Sequence, residues 1–450
     1  MTVDIPKKQR ALVLQGGGAL GAYEAGVLKA LYEKITEHDK KEKQEGRPLF
    51  DIIAGTSIGA INSAILTSHV RNQDSWEDSI TYLENFWKHV SSVPELTHLW
   101  LDSWHAWRKL FPDPPSKEEA RRYYSTREFL YNGAPKVFSK PTMNIDEKFL
   151  DSSNTWYQYN NSPLIESLLK FAEFPISTTL EENQPRLLLC SVDVQESYVV
   201  TFDSYSKESK YGQDIIIKYP DGIQTEHVMA SASVPVNFDY TRIKSEKSEN
   251  SDSSETRYFW DGGIMSNTPL RELIAKHRSY WEDKIGSDNL EETLWRIDEE
   301  DTLKIPDLEV YIIDIWPKKE TEIPLDHDGT LDRKNDLTYQ DKTQFDEKVA
   351  HRVTDYISLT KKLIRLAKEK KASEEEIKTI LKETTETTRF AKEKKTCSDL
   401  LKGRFHVKVE RIERRDDPHA VSRKWMDFTS DTISSLIRQG YDDVQARFRA

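Results

Sequence analysis

A serine between two glycines at a fixed spacing is the first feature of this sequence that could carry chemistry. Gly55-Thr56-Ser57-Ile58-Gly59 has the G-x-S-x-G spacing of a nucleophile elbow, a sharp turn that exposes a serine between a strand and a helix. Gly55 and Gly59 supply the small residues that such a turn needs two positions before and after the serine. The dipole of the following helix would favour a developing alkoxide on Ser57. The pattern predicts a nucleophile, and a serine that only caps a helix is the less favoured alternative.

A second glycine cluster lies upstream and could hold a negative charge. Gly16-Gly17-Gly18-Ala19-Leu20-Gly21 can present backbone N–H groups to the oxyanion of a tetrahedral intermediate. The same residues satisfy the dinucleotide fingerprint G-x-G-x-x-G, so a nucleotide-binding oxidoreductase is an alternative. That fingerprint expects an acidic residue at the end of the second strand. The candidates Glu37 and Asp39 fall in a predicted polar linker before that strand, which leads to Ser57 instead.

A third cluster, Asp261-Gly262-Gly263, supplies a carboxylate at the predicted end of a strand. Asp261 could accept the Ser57 proton as a general base, although an isolated Asp-Gly is usually only a turn. None of the 11 histidines follows a late strand in the order serine, acid, histidine; His351 and His406 are late enough but lie in charged surroundings. No Cys or His pair has the spacing of a zinc site, so we expect no metal.

Strands and helices must position these three clusters. Ala11–Gln15 and Phe50–Ala54 have the pattern of short buried strands, and each leads through a glycine turn into helical periodicity, at Gly21–Lys34 and Ala60–Ser68. Two strand–turn–helix units predict a parallel sheet with crossovers, and hence the α/β class. Further strands are predicted at Arg186–Val194, Tyr198–Phe202, Asp214–Tyr219, Arg257–Trp260 and Leu308–Trp316.

Two regions depart from this pattern and set the predicted domains. Residues 71–160 interrupt it and predict an inserted helical cap, in which Trp100, Trp104, Trp107 and Phe111 recur at helical spacing. That stripe is interpreted as core packing, with an apolar wall for an acyl chain as the alternative. We therefore predict an α/β domain over 8–340 that includes the cap. A mainly helical extension over 341–450 is predicted to pack on the core.

Charge and composition indicate which partners and which cellular location to expect for this protein. The net charge of −12 argues against nucleic-acid binding. Lys361–Arg415 is nevertheless basic, with 18 lysines and arginines against ten acidic residues, which predicts a solvated helix pair or, alternatively, contact with anionic lipid. No apolar run reaches the roughly 20 residues of a spanning helix, and Cys190 and Cys397 are expected to be reduced. These features predict a cytoplasmic protein, with peripheral membrane contact and the oligomeric state left open.

Taken together, in this order and spacing, the three clusters resemble the patatin-like phospholipase family. The resemblance covers about residues 11–320 and includes the small-residue stretch Ala230–Pro235. It implies a three-layer α/β/α fold with a mostly parallel central sheet, a Ser57–Asp261 dyad without a catalytic histidine, and no metal or cofactor. It also implies oxyanion N–H groups at Gly16, Gly17 and Gly18, with Gly21, Gly55, Gly59, Gly262 and Gly263 in support.

The resemblance implies a function and also contains one departure. The expected activity is hydrolysis of carboxylic esters of lipids, of the phospholipase A, lysophospholipase or lipase type. A catalytically silent membrane-surface scaffold is a further alternative. Asp427–Asp443 looks like the C-terminal extension of a prokaryotic subgroup of the family. Leu20 stands where the family commonly has Arg or Lys, so we expect weaker activity or a different substrate.

Overall fold

The computed structural model describes residues 5–44, 46–94, 117–140, 157–212, 215–247, 254–286, 289–290, 304–320, 322–385, 396–401, 404–415, 417 and 419–448. The chain divides into two compact units. The larger unit comprises Leu12–Pro269, Tyr311–Asp341 and Arg411–Ala450, and the smaller comprises Met1–Ala11, Leu270–Val310 and Lys342–Glu410. The segment predicted as an extension, 341–450, thus contributes to both units.

The structure contains ten strands among the described residues, and each strand predicted from the sequence is present. They are β1 (Lys8–Leu14), β2 (Ile52–Thr56), β3 (Arg186–Asp193), β4 (Tyr198–Asp203), β5 (Glu208–Tyr211), β6 (Ile215–Lys218), β7 (Thr241–Lys247), β8 (Ser254–Asp261), β9 (Asp307–Asp314) and β10 (Val407–Glu413). Their order in the sheet is β10-β9-β1-β2-β3-β8-β7-β6-β5, with β4 also paired to β3. β5 and β7 were not predicted, because polar residues dominate both strands.

The helices include one segment that was expected to be a linker. They are α1 (Ala22–Lys41), α2 (Ile58–Gln73), α3 (Trp76–Val90), α4 (Lys117–Asn132), α5 (Ser162–Phe171), α6 (Thr225–Ala232), α7 (Leu270–Ile285), α8 (His327–Tyr339), α9 (Gln344–Glu369), α10 (Glu374–Leu381), α11 (Cys397–Leu401) and α12 (Ser430–Arg447). The linker predicted around Glu37 and Asp39 is wrong, since both lie within α1. An ion pair of 2.8 Å between Glu37 and Lys41, one turn apart, supports that last stretch of helix.

The register of three neighbouring strands explains how distant residues meet. β2 and β3 run parallel, with Thr56 opposite Cys190, so Ser57 follows on one side of Ser191. β3 and β8 run antiparallel, with Asp261 opposite Ser191 on the other side. Ser57, which follows β2, and Asp261, the last residue of β8, therefore lie at the same end of these three strands. The predicted α/β fold is confirmed, and hairpins extend its sheet through antiparallel pairs beyond β8.

Close helix packing accounts for two glycines outside the three clusters. A Cβ on Gly26 of α1 would lie 1.8 Å from the Ile437 carbonyl oxygen of α12, and one on Gly440 would lie 2.2 Å from the Tyr23 carbonyl oxygen. Only glycine allows the two backbones to approach this closely. Of the predicted cap, α3 and α4 are described, whereas Trp100, Trp104, Trp107 and Phe111 lie outside the described residues.

Candidate active site

Ser57 lies at the junction of β2 and α2, and its backbone has a conformation that residues other than glycine rarely adopt. Its φ is 57° and its ψ is −125°, and such backbone strain in non-glycine residues concentrates at functional sites. A Cβ on Gly55 would lie 2.3 Å from the Gly59 carbonyl oxygen, and one on Gly59 would lie 2.4 Å from that of Leu14. Both contacts are with backbone, which cannot move aside, so the turn requires both glycines.

The small-residue stretch Ala230–Pro235 supports this turn. The Ser57 N–H donates to Oγ of Ser231 over 2.9 Å, and that hydroxyl donates to the Cys190 carbonyl over 2.5 Å. Ser231 is fully buried at the end of α6. The stretch therefore ties the strained residue to β3 through one buried hydroxyl, a role that no local spacing in the sequence indicates.

Asp261 is a buried carboxylate beside Ser57. Ser57 and Asp261 line the same pocket, and the Gly263 N–H donates to Oδ1 of Asp261 over 2.7 Å. Burial raises the pKa of Asp261 from 3.8 to about 6, against the lowering effect of the Ser57 hydroxyl and the Gly263 N–H. A Cβ on Gly262 would lie 2.4 Å from the Cys190 carbonyl oxygen, so this turn too needs glycine. The pair brings a hydroxyl donor and an unusually basic carboxylate together.

The loop Gly16–Gly18 lies against the serine. A Cβ on Gly16 would lie 2.8 Å from the Cβ of Ser57 and 2.5 Å from Oδ1 of Asn267. Two donors hold the Gly16 carbonyl: Nε1 of Trp316 at 2.7 Å and Nδ2 of Asn267 at 3.2 Å. The backbone of this loop is thereby fixed within contact distance of the Ser57 side chain.

A buried polar network beneath the loop was not predicted from the sequence. Glu24 of α1 accepts the Gln15 N–H at 2.9 Å and an Nδ2 hydrogen of Asn62 at 2.7 Å. Asn62 also donates to the Gly21 carbonyl over 3.1 Å. Complete burial raises the pKa of Glu24 well above its ordinary value. The network joins both ends of the glycine loop to α2, the helix that begins after Ser57.

These groups line a pocket of about 270 Å³. Its apolar wall consists of Val234, Pro235, Ile264, Trp316, Leu331, Tyr339 and Trp425. Asn335, Ser422 and half-buried Arg423 add polar atoms, and no histidine is among the described residues that line it. The pocket is therefore a mostly apolar cleft with one carboxylate and one guanidinium.

The segment that carries Arg423 is anchored by buried ion pairs to α8. Nζ of Lys424 lies 2.9 Å from Asp332 and 2.6 Å from Asp336. Ser422 Oγ donates to Asp328 over 2.6 Å. Sequence reasoning missed this wall, because neither α8 nor Ser422–Trp425 contains a recognisable motif.

Leu20 contributes nothing polar to this pocket, because its side chain is 1% exposed and belongs to the hydrophobic core.

The described residues contain no group of three His, Cys, Asp or Glu side chains arranged for a metal ion. Within the same ranges, we find no helix both long enough and apolar enough to span a bilayer.

Comparison with known proteins gives one family and several distant relatives. The sequence model of the family described as patatin-like phospholipase matches residues 12–274. Uncharacterized protein L620 of Acanthamoeba polyphaga mimivirus is 23% identical over 282 residues, which cover 61% of this chain and 66% of that protein.

Two solved structures also align with this chain, one over nearly all of it and one over less than half. VipD from Legionella pneumophila aligns with 98% of this chain and 66% of its own, at 11% identity and a TM-score of 0.31. Human GIVD cytosolic phospholipase A2, in complex with methyl gamma-linolenyl fluorophosphonate, aligns with 45% of this chain and 24% of its own, at 15% identity and a TM-score of 0.20. The chain spans just under two thirds of the length of both the mimivirus protein and VipD.

Proposed function

Because this chain belongs to the patatin-like phospholipase family, we propose that it is a serine acyl hydrolase that cleaves carboxylic ester bonds of lipids. The observation that carries the proposal is the position of Ser57 beside the buried Asp261 carboxylate in one pocket. A serine becomes an effective nucleophile when a positioned base accepts its proton. The largely apolar walls of the adjoining pocket suit an acyl chain.

In the first step, Oγ of Ser57 attacks the ester carbonyl carbon while its proton passes to Asp261. A new C–O bond forms, and the carbonyl electron pair moves to the oxygen. Backbone N–H groups of Gly16, Gly17 and Gly18 would stabilise that oxyanion, and one such donor typically contributes about 3 kcal/mol. Glycine suits this role, because a Cβ on Gly16 would intrude on Ser57.

In the following steps, the tetrahedral intermediate collapses and the bond to the alcohol breaks. Asp261 returns its proton to the departing oxygen, which leaves an acyl group on Ser57. Asp261 then takes a proton from water, whose oxygen attacks the acyl carbonyl carbon. The bond from that carbon to Oγ of Ser57 breaks, Asp261 returns the proton to Oγ, and the fatty acid is released. A pKa of about 6 suits Asp261 to both roles, because it is ionised at neutral pH yet more basic than an ordinary carboxylate.

Arg423 supports a phosphate-bearing lipid over a neutral ester as the substrate. It is half-buried in the pocket wall, where Asp261 is the acidic residue among the described lining residues. A guanidinium binds phosphate oxygens in bidentate fashion. It would also place a cation in the pocket, which Leu20 does not do from its position in the core.

The alternatives gain no support from a specific observation. Glu37 and Asp39 lie within α1, whereas nucleotide binding by the glycine loop would need an acidic residue at the end of β2. The proposal includes a cytoplasmic location with peripheral contact at the membrane surface, where a lipid substrate would be met. It includes no cofactor and no nucleic acid.

Labelling with a fluorophosphonate probe and mapping the labelled peptide tests this proposal. We expect the label on Ser57, and we expect Ser57→Ala to lose both the label and hydrolysis of p-nitrophenyl esters while its unfolding curve is unchanged. Ser422→Ala is the matched comparison, since Ser422 is a pocket serine that donates to an aspartate but lacks an elbow. Its label should remain on Ser57. Full esterase activity in Ser57→Ala would overturn the proposal.

A further inference from the structure

One exposed face of α9 is apolar and has coiled-coil spacing. We define the α9 stripe as Phe345, Val349, Tyr356, Leu359, Leu363 and Leu366, whose side chains are 40% to 68% exposed. With Arg352 between the second and third, these positions alternate in steps of four and three residues. That alternation is the a and d pattern of a heptad repeat, which favours packing against another helix.

The opposite face of α9 already packs within its own chain. Ile357 and Ile364 are buried in a cluster with Ile377 and Leu381 of α10 and Leu401 of α11. On the same side, Oγ1 of Thr354 donates to the Phe405 carbonyl over 2.9 Å. The helix thus has two apolar faces. The described part of the smaller unit covers one face and leaves the α9 stripe exposed.

Charged residues border the α9 stripe in an order that is complementary to itself. Lys348, Asp355, Lys362 and Glu369 recur every seven residues along one side of it and are all exposed. If a second copy of α9 lies antiparallel, Lys348 faces Glu369 of the second copy and Asp355 faces its Lys362. Each of these opposite-charge pairs occurs twice in a symmetric dimer.

A parallel arrangement would lack these pairs. In register, the same charged positions would face Val353, Thr360 and Ala367, none of which carries a charge. Arg352 of the two copies would also meet at one layer of the seam. The antiparallel arrangement instead sets Arg352 beside Leu363 of the second copy, where its apolar stem can pack while its guanidinium reaches water.

We propose that the α9 stripe is the contact surface for a second copy of this chain, joined as a short antiparallel coiled coil. Val349 then packs against Leu366 of the second copy, and Tyr356 packs against its Leu359. A helix of 26 residues is about 39 Å long, so the stripe provides a seam of about three heptads. This surface lies outside the pocket of the proposed hydrolase, and its test does not depend on activity.

Analytical ultracentrifugation of the full chain over a range of concentrations tests the association. We expect the mass to rise with concentration from 52.3 kDa towards twice that value. Leu359→Glu places a charge in the middle of the seam and should hold the protein as a monomer. Ile380→Glu makes the same kind of change at an exposed position of α10 and should leave the dimer intact. A wild-type chain that stays monomeric up to millimolar concentration would overturn the proposal.

A charge exchange tests the pairing directly. Asp355→Lys should weaken the dimer at least tenfold, since it sets like charges opposite each other twice. Adding Lys362→Asp to that variant should restore the dimer. Equal dimerisation by all three proteins would overturn the charge pairing, and vesicle binding by a monomer, lost in Leu359→Glu, would assign the stripe to a lipid surface instead.

Crosslinking tests the direction of the helices. Lys348→Cys and Glu369→Cys, each made with Cys397→Ser, should be joined by a short bismaleimide only when the two proteins are mixed. Crosslinking of Lys348→Cys to itself would indicate a parallel pair and overturn the antiparallel arrangement.

Discussion

Replacing Asp261 with asparagine should make the protein more stable and inactive at the same time. The two side chains have nearly the same shape, and asparagine keeps an acceptor for the Gly263 N–H that now donates to Oδ1 over 2.7 Å. What the substitution removes is a negative charge held almost without solvent, at 4% exposure. It also removes the base that the proposed mechanism needs.

The magnitude follows from the pKa of Asp261, which burial raises from 3.8 to about 6. A difference of about two pKa units corresponds to about 3 kcal/mol at 1.36 kcal/mol per unit. Because the folded state favours the neutral carboxyl, the cost of ionisation is absent at acid pH, grows between pH 4 and 6, and is complete above pH 6. The amide of the Asp261→Asn variant cannot ionise, so the variant avoids this cost at every pH.

Urea unfolding of both proteins at several pH values, followed by tryptophan fluorescence, measures the difference. The Asp261→Asn variant should be more stable by about 3 kcal/mol at pH 7 and by about half that at pH 5, with no difference at still lower pH. Its hydrolysis of p-nitrophenyl esters should be lost throughout. A stability difference that does not change with pH would refute the assignment of the raised pKa to burial.

Glu118 provides a comparison of the opposite sign. Burial alone would raise its pKa, but hydrogen bonds and charges from Arg121 and Arg122 outweigh burial and lower the pKa from 4.5 to about 2. Glu118→Gln should therefore destabilise the protein above pH 4.5, and the difference should vanish as the pH falls towards 2. Equal behaviour of the two variants would show that the measurement does not resolve individual carboxylates.

Three further outcomes are expected at the pocket. The kcat/KM for a neutral ester should fall about tenfold per pH unit below an apparent pKa near 6, because the Asp261 carboxylate is then protonated; a flat pH profile would exclude it as the base. Gly16→Ala should lower kcat at least 100-fold and also destabilise the protein in urea, since its Cβ would lie 2.8 Å from that of Ser57 and 2.5 Å from Oδ1 of Asn267 and the loop would have to shift. Arg423→Gln should lower kcat/KM at least tenfold for a phosphate-bearing ester and leave a neutral ester unaffected, and an equal loss on both substrates would argue against phosphate recognition.

The fold was predictable where strands are apolar and was missed where they are polar. The strand predicted at Arg186–Val194 is confirmed almost residue for residue as β3, because all eight of its side chains are buried. β7, with the sequence Thr-Arg-Ile-Lys-Ser-Glu-Lys, contains one apolar residue and was not predicted. Its backbone pairing with β8 stabilises it, and such pairing between strands depends on partners that local composition does not reveal.

The positions of Ser57, Asp261 and the glycines followed from the sequence alone, because those positions are controlled by local sterics. A tight turn at Gly55–Gly59 excludes a Cβ at either glycine, and such exclusions leave a readable spacing. The catalytic roles of these residues remain a proposal, and so does the domain boundary at 340.

Only the tertiary structure decided how these groups are supported and enclosed. The opposite pairings of β2 and β8 with β3 bring Ser57 and Asp261 to the two sides of Ser191, although about 200 residues separate them. Burial, which sets the basicity of Asp261, depends on all the elements packed around it. The wall from α8 and Ser422–Trp425 is held by a buried ion pair and a hydrogen bond between segments about 90 residues apart. Such contacts join residues through space and leave no periodicity or spacing along the chain, so no local pattern could have revealed Arg423 in the pocket.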